Sequence, residues 1–181
     1  MTMKLKTALA AAILSVFAGS AAPALAQTGA GGAVKTQHGA WGMVCETPPG
    51  APGEVCALRQ DVVAADRPEM GLSIGAFKTT DGKAHILRVL APLGIVLPPR
   101  LGLYVDSKDI GRLEFSRCLP EGCYAEALLD GLVKFDGKDT PLIDVLSTGK
   151  TAIFYVFPTP EEGIAFDVDL NGFGEGFKSL P

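Results

Sequence analysis

Histidine is nearly missing from this chain: His38 and His85 are the only two in 181 residues. The inventory for a histidine general base is correspondingly thin. No serine stands in a Gly-x-Ser-x-Gly elbow, and neither the phosphate-cradling loop nor the dinucleotide fingerprint occurs. There is no Cys-x-x-Cys. A basic tract is also lacking: 16 Lys+Arg face 20 Asp+Glu, a formal charge of −4. An acidic chain of this kind has no electrostatic means of holding nucleic acid phosphates or anionic lipid. Beyond the first residues, no apolar run approaches the roughly 20 residues that a membrane-crossing helix needs.

What is present begins with MTMKLKTALAAAILSVFAGSAAPALAQ. Lys4 and Lys6 form a short positive region, Ala8 to Ala18 an apolar one, and Ala24-Leu25-Ala26 a small-x-small cleavage pattern. Residues 1–26 therefore predict a cleaved secretory signal peptide with a mature start at Gln27. No cysteine stands at that start, so a lipid anchor is not indicated. The expected location is the periplasm or cell envelope, or outside the cell, with no transmembrane segment once the signal is removed. Loss of the two lysines takes Lys+Arg from 16 to 14 against 20 acids, so the charge moves from −4 to −6.

All four cysteines, Cys45, Cys56, Cys118 and Cys123, lie in the exported part. An even count in an oxidising compartment reads as two structural disulfides. Three pairings exist, and proximity along the chain favours Cys45–Cys56 with Cys118–Cys123. The spacings do not suit zinc, which takes closely spaced Cys pairs. A redox-active pair would favour two intervening residues at a helix start, whereas CLPEGC has four between strand-like runs.

Residues 27–40, QTGAGGAVKTQHGA, carry no apolar period and read as a flexible mature N-terminus. Residues 41–181 read as a single β-rich domain. Trp41, Met43 and Cys45 share one face of a strand. Val55–Val63, Leu72–Phe77 and Ala84–Ala91 follow, then Leu103–Asp106 after a bend at Pro98 and Pro99. Arg112–Cys118 alternates, with Leu113 and Phe115 inward, and a further strand starts at Cys123. Leu128–Phe135 carries helical spacing and predicts the single short helix, with Asp130 as its N-cap and Asp136-Gly137 as its stop. Pro141–Leu146, Ala152–Phe157 and Ile164–Leu170 complete the strands. Many short strands separated by Gly/Pro turns predict a mainly β chain: a single antiparallel β-sandwich or barrel-like domain with one short helix and two disulfides.

The stretch DVDLNGFGEGFK, Asp167 to Lys178, opens like an EF-hand calcium loop. Position twelve, which should be a bidentate Glu, is Lys178, and Pro158, Pro160 and Gly163 forbid a useful helix upstream. Ile164, Phe166, Val168 and Leu170 alternate with Ala165, Asp167 and Asp169, so the acids belong to the solvent face of a last strand. Leu170 and Phe173 are its expected core contacts. The glycines at 172, 174 and 176 open no convincing helix. Trp41, Tyr104, Tyr124 and Tyr155 are weighed as an aromatic ligand surface against ordinary core packing. No catalytic, cofactor-binding or metal-ligating set is assigned.

WGMVC, a second Cys followed by ALRQ, RVLAPLGIVL, RCLPEGCYAEALLD and a terminal DLNGF occur in that order. Together they resemble the invasion-associated locus B family of bacterial envelope proteins, over about residues 40 to 181. The resemblance implies an exported, mostly β protein whose four cysteines match the family's paired pattern, with a host-association role suggested by the family name. It carries no established catalytic residues. The Gly-rich GFGEGFKSLP departs from the Ala-rich helical end of other members. The leading expectation is a non-enzymatic envelope protein that binds an unidentified envelope or host macromolecule and no nucleic acid. The alternatives are a periplasmic hydrolase of envelope polymers using convergent carboxylates, and a disulfide-exchange protein.

Overall fold

Alternation of apolar and polar side chains shapes most of the computed structural model, which describes residues 33–47, 50, 53–79 and 81–181. The expected signal peptide and residues 27–32 lie outside the described residues. The elements run β1 (Val34–His38), β2 (Trp41–Glu46), β3 (Val55–Val63), β4 (Gly71–Lys78), β5 (His85–Ala91), β6 (Leu101–Val105), β7 (Lys108–Leu113), β8 (Phe115–Leu119) and β9 (Gly122–Leu128). Then follow β10 (Leu132–Phe135), β11 (Lys138–Pro141), α1 (Leu142–Thr148), β12 (Thr151–Val156), β13 (Ile164–Asp169) and α2 (Phe173–Lys178).

Seven strands form one antiparallel sheet in the order β1-β2-β3-β4-β5-β9-β8. Four form a second, β13-β12-β6-β7, and β10 pairs with β11 as a separate hairpin. The sheets are not closed into a barrel; they face each other as a sandwich. Inward residues of β3, β4 and β5 (Leu58, Ile74, Val89) meet Leu103, Phe154 and Phe166 of the smaller sheet in one continuous core. Burial of side chains of this size stabilises by about 2–3 kcal/mol each before ordering costs. Because inward and outward positions alternate, this packing leaves the opposite face of the large sheet carrying Arg59, Ser73, Arg88 and Tyr124.

One polar side chain lies inside this apolar layer. Gln60 is 8% exposed and falls on the inward phase set by Cys56 and Leu58. Its Nε2 donates to the Asp169 carbonyl at 2.9 Å, and its Oε1 accepts the Asp169 N–H at 3.1 Å. Trp41 Nε1 donates to the same carbonyl at 2.8 Å. The main chain of β13 is thereby joined to the large sheet by side chains that satisfy each other, which a buried amide requires.

The disulfides are Cys45–Cys56 and Cys118–Cys123. Each joins directly opposed residues, of β2 with β3 and of β8 with β9. The Cα separations of 4.0 and 3.9 Å identify the narrow, non-hydrogen-bonded pair of an antiparallel ladder. In the chain-entropy account, loops this short stabilise by about 2–3 kcal/mol each.

Several expectations are corrected. Val34–His38, placed in the flexible segment, is a paired strand against β2. The helix expected over Leu128–Phe135 is instead the end of β9 and the strand β10. Asp136 and Gly137 both have positive φ, 52° and 75°, between the paired Phe135 and Lys138. They form the tight turn of a two-residue hairpin and not a helix stop. The helix lies where a strand was expected: Leu142, Val145 and Leu146 of α1 are buried, which is helical i, i+3, i+4 spacing. Arg112–Cys118 is also not one strand. It breaks at Glu114, with Leu113 ending β7 in the small sheet and Phe115 starting β8 in the large one.

The Gly-rich tail forms a second short helix, α2. Gly172 has φ 89° and a Cβ there would lie 2.1 Å from the His38 carbonyl oxygen. A Cβ on Gly176 would lie 2.5 Å from Leu58 Cδ1. Close approach therefore demands these glycines, and Phe173 and Phe177 are buried one helical turn apart.

Two outcomes test this packing. Gln60→Ala should lower stability by about 2 kcal/mol, read as a lower urea midpoint, because the Asp169 peptide N–H loses its partner. Gly176→Ala should destabilise by about 1–3 kcal/mol although alanine favours helix by about 1 kcal/mol, because fully buried Leu58 cannot yield; a raised melting temperature would refute this.

Candidate binding face

The outward positions of the large sheet bring together groups that are far apart in the chain. In the strand register Asp61 of β3, Ser73 of β4, Leu90 of β5 and Tyr124 of β9 form one row. Arg59, Gly75, Arg88 and Glu126 form the next. The smaller sheet packs on the opposite face, and α2 reaches that inner face at Leu58.

Along this surface the side chains hold one another. Arg88 Nε donates to Glu126 Oε1 at 2.6 Å, and its guanidinium lies 4.7 Å from the Phe77 ring centre and 5.9 Å from that of Tyr124. Arg117 of β8 stands 5.1 Å from the same Tyr124 ring. Contacts of cation and ring face are worth roughly 0.5–1 kcal/mol each at exposed sites. Tyr124 Oη donates to Glu121 Oε1 at 2.7 Å. That hydrogen bond, followed by smaller contributions that include the Arg117 charge, holds the Glu121 carboxyl below its ordinary range. The same bond raises the Tyr124 phenol above its usual value.

Beside this ladder lies a shallow depression of about 360 Å³ whose lining includes Asp61, Val63, Ser73, Leu90, Pro92 and Glu121. It exists because Gly71 and Ser73 are small between the larger Val63 and Leu90. Its border is apolar and open to solvent: Val63 is 60% exposed. Chemically the surface offers an apolar trough with a carboxylate at each side, next to pre-ordered guanidinium and phenol groups. A general acid needs a raised carboxyl pKa. Glu121 is shifted the other way by its bond to Tyr124.

The other residues singled out in the sequence fall elsewhere. The four aromatics are dispersed: Trp41 is in the core at 1% exposure, and Tyr104 and Tyr155 pair edge-to-face at 5.4 Å. Tyr124 alone belongs to the large-sheet face. His38 Nε2 lies 3.2 Å from Ser179 Oγ, but that hydroxyl donates to the Gly176 carbonyl at 2.7 Å. The pair ties β1 to the C-terminal turn and does not form a nucleophile with its base. His85 Nδ1 sits 2.9 Å from Asp130 Oδ1 and packs edge-on to Phe177.

In the calcium-like stretch, Asp169 Oδ1 accepts the Asn171 N–H at 2.8 Å. The helix α2 starts at its seventh position, so Glu175 and Lys178 line a different, open cleft of about 710 Å³ beside Asp144 of α1. Among the described residues the grouping of possible metal donors is Cys45, Glu54 and Cys56, and its two sulfurs are already bonded to each other. No helix among the described residues is long and apolar enough to cross a membrane.

Sequence reasoning did not pick out Gln60, or the Arg88–Tyr124–Glu121 unit. Gln60 was detectable as a polar residue on an inward phase. The unit depends on which strands become neighbours, and β9 follows β5 in space although three other strands intervene in the chain.

The fold and its bridges define a two-disulfide antiparallel β-sandwich. Residues 41–181 match the family described as Invasion associated locus B (IalB) protein, and the chain belongs to that family. It is 27% identical over 125 residues to Invasion protein B homologs of Brucella abortus strain 2308 and of biovar 1 strain 9-941, a match covering 69% of this chain and 67% of each relative. The crystal structure of invasion associated protein b from Bartonella henselae shares the fold, with a TM-score of 0.56 at 21% identity over 77% of this chain and 90% of that one. Disulfides and family are compatible with an envelope or exported protein.

The Glu121 contact has a defined pH signature. A carboxyl whose folded pKa lies below its unfolded value stabilises the fold above the unfolded value. That contribution is lost as pH falls through the folded value. Tyr124→Phe should move the Glu121 titration midpoint, followed by carboxyl NMR, up toward its ordinary value of 4.5; an unmoved midpoint would show that the phenol is not the cause.

Proposed function

We propose that this protein is an exported, non-enzymatic envelope protein that acts by binding another macromolecule through the outer face of its large sheet. The observation that carries the reading is the side-chain ladder Phe77–Arg88–Tyr124–Arg117 beside an apolar, acid-flanked depression. Ordered groups cost less entropy to bind than free ones, and exposed apolar residues next to them supply area to bury. The leader-like residues 1–26 and the paired cysteines support export to the periplasm or cell envelope. The names of the Brucella and Bartonella relatives support a host-association role.

The test is site-specific photocrosslinking in the native cell. A photoreactive residue at Ser73 or Leu90 should give a discrete adduct, and one at Ile153 on the outer face of the small sheet should not. Equal yields from both faces, or none from the large sheet, would remove the support for this reading.

A further inference from the structure

We propose that the depression at the end of the large sheet takes an extended basic segment of a partner polypeptide, with two cationic residues four positions apart and an apolar residue midway between them, so that all three share one face. This rests on the reading of the same face as the binding surface.

The trough runs across strands. Asp61 stands on β3, and Ser73 and Leu90 follow on β4 and β5 in the same row. Beyond Leu90, Gly122 packs so closely that a Cβ on it would lie 2.7 Å from Leu90 Cδ1. Glu121, its chain neighbour, thus closes the far side. With strands about 4.8 Å apart, the two carboxylates bracket a span on the order of 10–15 Å. An extended chain rises about 3.3 Å per residue, so the span matches three to four residues.

Each carboxylate keeps an oxygen for a ligand. Arg59 engages Asp61 through Oδ1, from both Nε and Nη2 at 3.1 and 3.0 Å, and Tyr124 engages Glu121 through Oε1. Among the described residues the bonds to these carboxylates use Asp61 Oδ1 and Glu121 Oε1, so an incoming cation can address Asp61 Oδ2 and Glu121 Oε2 while sharing the charges with Arg59 and Arg117. The Arg59–Asp61 pair is exposed, and such pairs resist exchange weakly. Between the acids the surface is apolar, with Val63, Leu90 and Pro92 bordering the space above Ser73. A small polycation would satisfy the acids and leave that surface wet. A polypeptide with an apolar residue between two lysines or arginines covers both. An excess of acids over bases across the chain, 20 against 16, favours approach of a basic partner.

Fluorescence anisotropy with labelled peptides tests this. A peptide with the core Lys-Ser-Leu-Ser-Lys should bind the protein, and more weakly as salt rises. Peptides with Glu-Ser-Leu-Ser-Glu or Lys-Ser-Ser-Ser-Lys cores should bind about tenfold more weakly or worse. Ser73→Phe, which fills the trough, and Glu121→Gln, which removes one charge, should each weaken binding about tenfold, with both variants folded as judged by circular dichroism. Equal binding of the all-serine core, competition by spermidine at comparable concentration, or undiminished binding by both variants would overturn the proposal. Crosslinks at Ser73 and Leu90 persisting in cells while no basic peptide binds would make the partner class wrong and leave the face standing. Loss of those crosslinks would count against the face itself.

Discussion

A single buried amide organises the join between the two sheets. Gln60 stands where the inward phase of β3 would place another aliphatic residue, and it meets both the N–H and the C=O of Asp169. Apolar contacts between sheets are non-directional and would tolerate sliding. A two-point hydrogen bond to the backbone of one residue does not. Trp41 adds a second donor to the same carbonyl, and its ring packs on Phe173 at 4.9 Å. Strand pairing, helix docking and the C-terminal turn thus converge on the few residues around Asp169. An orphaned amide in that layer would cost more than the pair contributes, so the arrangement specifies alignment as much as it stabilises.

That alignment fixes what the opposite face displays. Because side chains alternate strictly along a strand, holding Leu58, Gln60, Ile74 and Val89 inward sets Arg59, Asp61, Ser73, Arg88 and Leu90 outward. A slip of one residue would exchange the two sets. The candidate face is in this sense largely the reverse side of the core, with Pro92 after β5 and Glu121 of the β8–β9 turn closing one end of its depression. Its polar members are then immobilised by each other: Arg88 lies between Phe77, Tyr124 and Glu126, and Tyr124 is tethered to Glu121. Its apolar depression arises from size alone, from Gly71 and Ser73 among larger neighbours.

Much of the fold was legible because it depends on local periodicity. Trp41-x-Met43-x-Cys45 and Ile164-x-Phe166-x-Val168 announce half-buried strands, and the structure buries those residues. The short segments failed where two periods overlap. In Leu142–Leu146 the apolar residues fit a helix as well as a strand, and what decides is the hairpin β10–β11 that delivers the chain there. Asp136-Gly137 can end a helix or turn a hairpin, and only the pairing of Phe135 with Lys138 selects between them. The glycines of α2 look like helix breakers until the neighbours that exclude a Cβ, Leu58 among them, are known. The candidate face was not legible at all, since it requires β9 to lie beside β5. Tyr124 could be noted as an aromatic, but nothing in the local sequence puts Arg88 next to it.

The two bridges join cysteines that are consecutive along the chain, and each lies within one hairpin. Neither crosses from one sheet to the other. A chain meeting an oxidant N-terminus first can therefore close Cys45–Cys56 before Cys118 emerges. The remaining pair then has no wrong partner left. Pairing of this kind needs nothing larger than a local ribbon to have formed, and neither bridge has to wait for the two sheets to meet. The covalent links thus secure each hairpin by itself, and the alignment of one sheet on the other is left to non-covalent contacts such as the join of Gln60 to Asp169.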